Sequence, residues 1–261
     1  MNGYRFLDGP TPLAIAHRGV APDGVENSMV AFERAVRLGY RYLETDVRIS
    51  RDGVLVAFHD PTLRRTTGRR GYVAALPWAE LARARIRGRE PIPRLEDVLG
   101  AWPDLRIILD VKASAAVLPL ADLLRRTGAV ERVCVGAFSD TRLRRIRAAV
   151  GPRLATSMGP REVFRLRLAS LRATGPDARC NGVPCVQVPP RLGAIAVLDG
   201  RFVTVAHRRG LQVHAWTIND RTEMARLLDL GVDGIMTDRA EVLRDVLRDR
   251  GQWSGGQAPD R

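Results

Sequence analysis

The chain has 261 residues, 45 % of them apolar and 27 % charged, a balance that excludes disordered, collagen-like and coiled-coil proteins. Its formal net charge is +13, and of its 42 Lys and Arg residues only Lys112 is a lysine. The arginines are spread along the chain and form no basic cluster, so we interpret them as solvated helix faces and expect no nucleic-acid partner. No run reaches the roughly 20 apolar residues of a membrane span, and no secretory signal is found, which predicts a cytoplasmic protein.

Short apolar runs of strand type alternate with longer amphipathic runs of helix type along the chain. This alternation predicts an α/β protein with a parallel sheet, and about eight strands favour a closed (β/α)8 TIM barrel. An open doubly wound sheet is the alternative, although no GxGxxG or Walker motif marks a nucleotide site. The predicted strands are 13–17, 42–49, 54–59, 106–112, 133–138, 154–158, 185–188, 211–218 and 234–237, and the predicted helices are 28–39, 114–127, 139–150, 160–172, 220–230 and 240–250.

Residues 1–250 are assigned to a single barrel domain with a small excursion over 61–104, after the second strand. The excursion is rich in Arg, Gly and Pro and carries one predicted helix near 95–101. The last residues, 251–261, are rich in Gly and polar side chains and are predicted to be a disordered tail. Helix-capping residues are predicted at Asn27 or Ser28, at Ser139 and at Asn219.

Polar side chains interrupt the predicted strands near their carboxyl ends, where the active sites of TIM barrels lie. Because side chains alternate along a strand, Glu44 and Asp46 share one face of their strand, and Asp110 and Lys112 share one face of theirs. Each pair also has a purely structural interpretation. For Glu44 and Asp46 it is a pair of solvent-facing carboxylates, and for Asp110 and Lys112 it is an ion pair at a strand end. The polar residues concerned are His17, Glu44, Asp46, His59, Asp110 and Lys112.

Asp52 and Gly53 lie between two strand-like runs and give the sequence signal of a two-residue hairpin turn. Counting outward from that turn places Asp46 directly opposite His59, with Glu44 on the same face. One hairpin is therefore predicted to present two carboxylates and an imidazole together.

Three carboxylates without a Cys or His cluster at zinc spacing form a set of hard oxygen ligands, which favours Mg²⁺ or Ca²⁺ over Zn²⁺. The three cysteines, Cys134, Cys180 and Cys185, include no CxxC pair, so we expect reduced thiols. Two histidines beside a divalent cation suit proton transfer in both directions, and Arg18 and Lys112 indicate an anionic substrate. Together these residues predict hydrolysis of a phosphate ester.

Several motifs in one order resemble the glycerophosphodiester phosphodiesterases, a family within the phosphatidylinositol-phospholipase-C-like phosphodiesterases. The resemblance implies a TIM barrel that cleaves glycerophosphodiesters to sn-glycerol 3-phosphate and an alcohol. It further implies attack by the glycerol 2-hydroxyl, which gives a cyclic phosphate that water then opens. The motifs are HRG (17–19), ENS (26–28), ETD (44–46), FHD (58–60), RTTG (65–68), Asp-x-Lys (110–112), HAWTIND (214–220) and DGIMTDR (233–239).

The resemblance implies roles for individual residues. His17 and His59 match the catalytic acid/base pair, and Arg18 matches the phosphate-binding arginine. Glu26 and Asn27 are expected to support the mouth of the site, while His207 and His214 are interpreted as structural.

The same resemblance assigns Glu44, Asp46 and Asp110 as ligands of one divalent cation, and Lys112 as a cation near the phosphate. The family usually has Glu at the position of Asp110, whose side chain is one methylene shorter. Trp216 falls at the aromatic position of the W-T-x-N block, where a ring can cover the glycerol, although a core Trp is the alternative.

Three other functions stay open at this point. One is a lysophospholipase D or sphingomyelinase D-like phosphodiesterase, which stops at the cyclic phosphate and acts on lysophospholipids or sphingomyelin. Another, of a different class, is a catalytically inactive basic protein that binds nucleic acid. The third, a metal-dependent sugar isomerase of similar architecture, would leave Arg18 and Lys112 without an anion to bind.

Overall fold

Eight parallel strands form the centre of the computed structural model, which describes residues 3–171 and 182–256. The strands are β1 Leu13–His17, β2 Tyr42–Ile49, β3 Arg106–Val111, β4 Val133–Gly136, β5 Ala155–Thr156, β6 Cys185–Val188, β7 Gln212–Ala215 and β8 Gly234–Thr237. Hydrogen-bonded neighbours follow the order β5, β4, β3, β2, β1, β8, β7, β6. A parallel bridge from Ser157 to Cys185 joins the two outer strands and closes the sheet. The predicted TIM barrel is therefore confirmed.

Helices follow the barrel strands and cover their outer faces, as the alternating pattern predicts. The prediction misses the helix after β6, because Gly200, Val203, Thr204 and Val205 give that segment a weak helix propensity. None of the described helices is long and apolar enough to cross a bilayer. The α-helices are α1 Met29–Arg37, α2 Arg64–Thr67, α3 Trp78–Leu81, α4 Leu95–Ala101, α5 Val117–Arg126, α6 Asp140–Val150, α7 Pro160–Leu171, α8 Gly200–Arg208, α9 Arg221–Asp229 and α10 Ala240–Asp249, with 3-10 turns at Arg5–Leu7, Val73–Ala75, Ser114–Ala116 and Ala129–Arg132.

Side-chain caps fix the starts of several helices. Ser28 caps α1 and Ser139 caps α6, each through its hydroxyl, as predicted. The predicted cap of α9 is wrong by one residue, because Asp220 accepts the backbone N–H bond that Asn219 was expected to accept. The side-chain Oδ1 of Asn219 instead accepts the backbone N–H of Asp238 at 2.9 Å, so this side chain faces β8.

The segment between β2 and β3, which contains the predicted excursion over 61–104, packs together with Val25 around a small apolar core. It starts with a strand, Leu55–Ala57, that pairs antiparallel with β2, and it includes a hairpin of Arg85–Ile86 with Glu90–Pro91. Phe58 is buried in this core, which anchors the next residue, His59, beside the barrel.

The hairpin that follows β2 differs by one residue from the predicted register. A three-residue turn lies between Ser50 and Val54, and the Ser50 hydroxyl accepts the Val54 N–H at 2.8 Å. Asp46 consequently lies opposite Phe58, whose N–H donates to the Asp46 carbonyl at 3.0 Å. The predicted pairing of Asp46 with His59 is wrong, because the serine side chain stabilises the longer turn.

The first residues of the predicted disordered tail pack against the barrel. The Trp253 ring meets the Tyr40 ring edge-on, with centroids 5.3 Å apart, and Gln252 N–H donates to the Leu247 carbonyl at 2.8 Å. Burial of an aromatic ring orders this stretch, so the prediction of disorder is corrected for 251–256. Residues 257–261 lie outside the described residues.

Cys134 and Cys185 are buried free thiols at the base of the barrel interior. Their sulfur atoms lie 3.8 Å apart, well beyond the roughly 2.05 Å of a disulfide bond. This agrees with the expectation of reduced cysteines, whereas Cys180 lies outside the described residues.

His214 of β7 is completely buried, and its ring contacts the side chains of Gln187 and Gln212 at 3.4 and 3.2 Å. Burial lowers the pKa of His214 to about 4. His207, the other histidine interpreted as structural, pairs with Asp233 at 2.7 Å. Both rings take part in the scaffold of the barrel.

The free energy of unfolding is expected to fall through His214 as the pH decreases from 7 to about 4. The unfolded imidazole binds a proton below pH 6.5, whereas the folded one stays neutral down to about pH 4. The contribution of neutral His214 to the free energy of unfolding is therefore complete above pH 6.5. It declines by about 3 kcal/mol as the pH falls to 4. Urea denaturation of the wild type and His214→Gln across this range should show a smaller acid loss in the variant; equal losses would contradict the assignment.

Candidate active site

The carboxyl ends of the barrel strands surround a cavity of about 470 Å³. Parallel strands end at the same rim, so side chains from distant parts of the sequence converge there. Every residue for which a catalytic, substrate-binding or metal-binding role is predicted lines this cavity. These residues are His17, Arg18, Glu44, Asp46, His59, Asp110, Lys112 and Trp216.

A tight turn after β1 directs Arg18 toward β2. Gly19 has a φ of +79°, and a Cβ there would lie 2.6 Å from the backbone carbonyl carbon of Ala31, so only glycine fits. Arg18 is itself left-handed, with a φ of 54°, a conformation that is rare for residues with a side chain. Its backbone N–H donates to the carbonyl oxygen of Glu44 at 3.0 Å and lies 3.2 Å from Glu44 Oε2.

Asp46 is the centre of a buried cluster of charges. Its Oδ2 lies 3.0 Å from Arg18 Nε and accepts a hydrogen bond from Asn27 Nδ2 at 2.8 Å. Its Oδ1 lies 2.9 Å from Lys112 Nζ, which also donates to Asp110 Oδ2 at 2.6 Å. Asp46 and Asp110 are direct neighbours across β2 and β3. Lys112 therefore lies between two carboxylates.

Asn27 acts as the predicted support of the site. It is buried and left-handed, with a φ of 57°. Its Oδ1 accepts the hydroxyl of Thr45 at 2.7 Å while its Nδ2 binds Asp46. One side chain thereby fixes two successive residues of β2.

The two carboxylates of β2 have pKa values shifted in opposite directions. Burial raises the pKa of Glu44 well above its usual range, and the charge of Asp46 adds to this. Burial also opposes ionisation of Asp46, but the positive charges of Arg18 and Lys112 outweigh this effect and lower the pKa of Asp46. Burial lowers the pKa of His17, yet Glu44 and then Asp238 contribute more, so it is raised. Asp46 is thus ionised at neutral pH, while Glu44 and His17, 3.7 Å apart, bind protons more readily than usual.

The donor set of Glu44, Asp46 and Asp110 fits a hard divalent cation in its chemistry, since every donor is a carboxylate oxygen. Oδ1 of Asp110 is also buried and has no hydrogen-bond partner in the described parts of the chain. Among the described residues, however, no group of three or more His, Cys, Asp or Glu side chains is arranged to hold a metal ion. The reason is that Lys112 occupies the space between two of the three carboxylates. Binding of an ion to both would require this ammonium to move aside.

His17 is oriented by a residue that the sequence analysis missed. Its Nδ1 lies 2.6 Å from Oδ1 of Asp238, which follows β8. Asn219 donates to Asp238 Oδ2 at 2.9 Å and so holds the carboxylate in place. The available signal was the position of Asp238 at the carboxyl end of the last strand, within the DGIMTDR motif.

His59 is oriented in the same way by Asp60, whose Oδ1 lies 2.6 Å from its Nδ1. Arg65 donates to both oxygens of Asp60, at 2.6 and 3.0 Å, and these bonds lower the pKa of Asp60 to about 2. Arg65 also makes two bonds to Glu26, at 2.7 and 2.8 Å, and Glu26 accepts from Arg18 at 2.9 Å. A continuous chain of charged contacts therefore connects His59 to Arg18. The sequence analysis gave Asp60 and Arg65 no role, although Asp60 directly follows His59.

The opposite wall of the cavity is apolar. Trp216 meets Phe138 edge-on with ring centroids 5.6 Å apart, and Lys112 Nζ lies 5.9 Å from the centre of the Phe138 ring. The ammonium thus lies between the polar and apolar walls. Other apolar residues of this wall are Met158, Pro160, Val163, Val188, Pro189, Leu192 and Val197.

Two carboxylate-oriented imidazoles and two cations thus share one cavity at the end of the barrel where the active sites of TIM-barrel enzymes lie. The sequence matches the glycerophosphoryl diester phosphodiesterase family over residues 17–242. It is 42 % identical over 255 residues to "Probable glycerophosphodiester phosphodiesterase 2" of Mycobacterium tuberculosis, with 96 % of each chain covered. It is 27 % identical to human Lysophospholipase D GDPD1, covering 89 % of this chain and 85 % of that one.

A similar fold occurs in a phosphodiesterase of Oleispira antarctica, whose structure contains the product sn-glycerol 3-phosphate. The TM-score is 0.76 at 22 % identity, covering 91 % of this chain and 97 % of that one. The chain belongs to the glycerophosphoryl diester phosphodiesterase family. The resemblance and the enzyme class given by the sequence analysis are therefore confirmed.

Asp238→Asn is expected to lower kcat for phosphodiester hydrolysis by about 10²- to 10⁴-fold, because the amide no longer fixes the tautomer of His17 or stabilises its protonated form. The matched control is Asp233→Asn, which alters the His207 pair, a contact outside the cavity. Steady-state kinetics with thermal unfolding as a check on folding measures both variants. Equal kcat values for the two variants would contradict a positioning role for Asp238.

Proposed function

We propose that the chain hydrolyses glycerophosphodiesters to sn-glycerol 3-phosphate and an alcohol, with His17 and His59 as acid and base. The observation that carries this proposal is the pair of imidazoles lining one cavity, each with its Nδ1 2.6 Å from an aspartate oxygen. The Nε2 atom of each ring is thereby left for proton transfer with the substrate. The intact acid–base pair favours an enzyme over the inactive nucleic-acid-binding alternative.

Arg18 and Lys112 are proposed to hold the phosphate group. Arg18 uses Nε toward Asp46 and Nη1 toward Glu26, which leaves Nη2 for a phosphoryl oxygen. Lys112 has three N–H donors and two carboxylate partners, so one donor remains. Arg18 is fixed by the carboxylates of Asp46 and Glu26 before a substrate enters, which lowers the entropic cost of binding it.

The proposed proton transfers use the two Nε2 atoms, of which that of His17 lies 3.7 Å from Glu44 Oε2. One imidazole accepts the proton of the substrate's glycerol 2-hydroxyl as that oxygen bonds to phosphorus. The other imidazole donates a proton to the alcohol oxygen as its bond to phosphorus breaks. The roles then reverse when water opens the cyclic phosphate, so each ring acts once as an acid and once as a base.

Glu44, Asp46 and Asp110 are proposed to hold one divalent cation, Mg²⁺ or Ca²⁺, which polarises a phosphoryl oxygen when bound. The raised pKa of Glu44 supports this assignment, because a nearby positive charge would favour its ionised form. The buried Oδ1 of Asp110, which has no hydrogen-bond partner among the described residues, supports it further.

His17→Ala and His59→Ala are each expected to lower the release of sn-glycerol 3-phosphate from glycerophosphocholine by about 10²- to 10⁴-fold, since each removes one proton-transfer group. His207→Ala, outside the cavity, serves as the matched control and should retain activity. Product formation is measured by an enzyme-coupled assay, with circular dichroism to confirm folding. Full activity in either cavity variant would refute the assignment.

Removal of divalent ions with EDTA is expected to abolish turnover, and Mg²⁺ or Ca²⁺ should restore it. Asp110→Asn should weaken ion binding by about tenfold or more, whereas Asp110→Glu, with the residue usual in the family, should not weaken it. Isothermal titration calorimetry with each ion measures binding independently of activity. Turnover that resists EDTA, or unchanged binding in Asp110→Asn, would rule out this metal site.

A second candidate function is lysophospholipase D-like cleavage, and the apolar wall of the cavity favours it. Phe138, Met158, Val163 and Leu192 provide a surface that suits an acyl chain better than a small polar alcohol. The human relative carries the name Lysophospholipase D. An acylated substrate would use the same imidazoles, cations and carboxylates.

Phosphorus NMR of the products distinguishes the two candidates. With glycerophosphocholine as the substrate, sn-glycerol 3-phosphate is the expected end product, because both histidines can act in the second step. A cyclic phosphate that accumulates, together with faster turnover of lysophosphatidylcholine, would instead establish the second candidate.

A further inference from the structure

Four large apolar side chains are exposed around the apolar side of the cavity. We call them the apolar rim: Phe138, Phe164, Leu192 and Ile195, exposed by 65, 63, 68 and 65 %. Single exposed apolar residues are ordinary, but a cluster beside a binding cavity marks an interaction surface.

The apolar rim is continuous with the cavity. Phe138 and Leu192 line the cavity and are exposed at the same time. Ile195 pairs with Leu192 across a short antiparallel hairpin. Phe164 lies one helical turn after Pro160, a cavity-lining residue of α7, and therefore on the same face of the helix. Whatever covers this rim would therefore also meet the mouth of the active site.

Three exposed arginines accompany the apolar rim. Arg161 and Arg165 lie on α7, and Arg191 lies on the hairpin. In the ranges 3–171 and 182–256, none of them forms an ion pair; Arg191 donates to a backbone carbonyl instead.

The carboxylates of the same segments are already engaged. Glu162 and Asp199 form ion pairs with other arginines, at 3.1 and 2.7 Å. Asp140 accepts the backbone N–H of Arg161 at 3.1 Å. The rim thus combines apolar side chains with uncompensated positive charge.

We propose that the apolar rim and its three arginines dock the protein on an anionic lipid bilayer, with the cavity mouth toward the lipid. Apolar side chains flanked by arginines are the composition of a surface that inserts at a membrane interface and attracts acidic headgroups. Docking would let a phosphodiester enter the cavity from the interface.

A second copy of the chain fits this surface less well. A two-fold contact would place the same patch against itself and bring its arginines together without partners. Charge complementarity therefore favours lipid over self-association. The docking step does not depend on the reaction proposed above.

Vesicle co-sedimentation of the full chain tests the proposal. Wild-type protein should bind vesicles of phosphatidylcholine with about 30 % phosphatidylglycerol, and bind pure phosphatidylcholine weakly. Arg161→Gln/Arg165→Gln and Phe164→Ser/Ile195→Ser should each weaken binding by about tenfold. These four residues do not line the cavity, so turnover of glycerophosphocholine should be unchanged.

Matched double variants control for general charge and general hydrophobicity. Arg83→Gln/Arg248→Gln removes two exposed arginines elsewhere, and Tyr72→Ser/Leu118→Ser removes two exposed apolar groups elsewhere. Both should bind vesicles like the wild type. The proposal is overturned if the wild type does not bind, or if controls and rim variants lose binding equally. It also fails if sedimentation velocity shows a dimer that the Phe164→Ser/Ile195→Ser change abolishes while vesicle binding persists.

Discussion

The whole site depends on keeping Asp46 ionised although its side chain is almost completely buried. The residue is 1 % exposed, and a buried carboxylate left without partners would cost several kcal/mol. Arg18, Asn27 and Lys112 prevent this, and they come from the end of β1, the segment before α1 and the end of β3. Since no single element supplies the partners, this cluster forms only when β1, β2 and β3 pack side by side.

The sequence predicts the structure correctly where interactions between residues close in sequence determine it. The alternation of side chains along β2 and β3 places Asp46 and Asp110 on one face, and the barrel register makes them neighbours. The hairpin after β2 fails by one residue because a single hydroxyl, that of Ser50, favours a longer turn than the Asp-Gly signal indicates. α8 is missed because its burial against the barrel overrides the weak propensity of its residues.

The periodicity of the sequence does not predict contacts between segments that are distant along the chain. Asp238 and His17 are 221 positions apart, and Arg65 and Glu26 are 39 apart. Nothing local to these residues shows which partner each will meet. The interpretation of the arginines fails for the same reason, because not all of them lie on solvated faces of helices. Arg147, for example, donates to Thr156 Oγ1 at 2.7 Å and to the Ser157 carbonyl at 3.0 Å.

The contact between His17 and Asp238 has a consequence for when the protein becomes active. One partner lies on the first strand to be synthesised and the other follows the last strand. A nascent chain can therefore contain every cation and carboxylate that lines the cavity before Asp238, which orients the His17 ring, has been synthesised. In the proposed reaction, His17 is therefore held by its carboxylate only after the last strand has paired with the first.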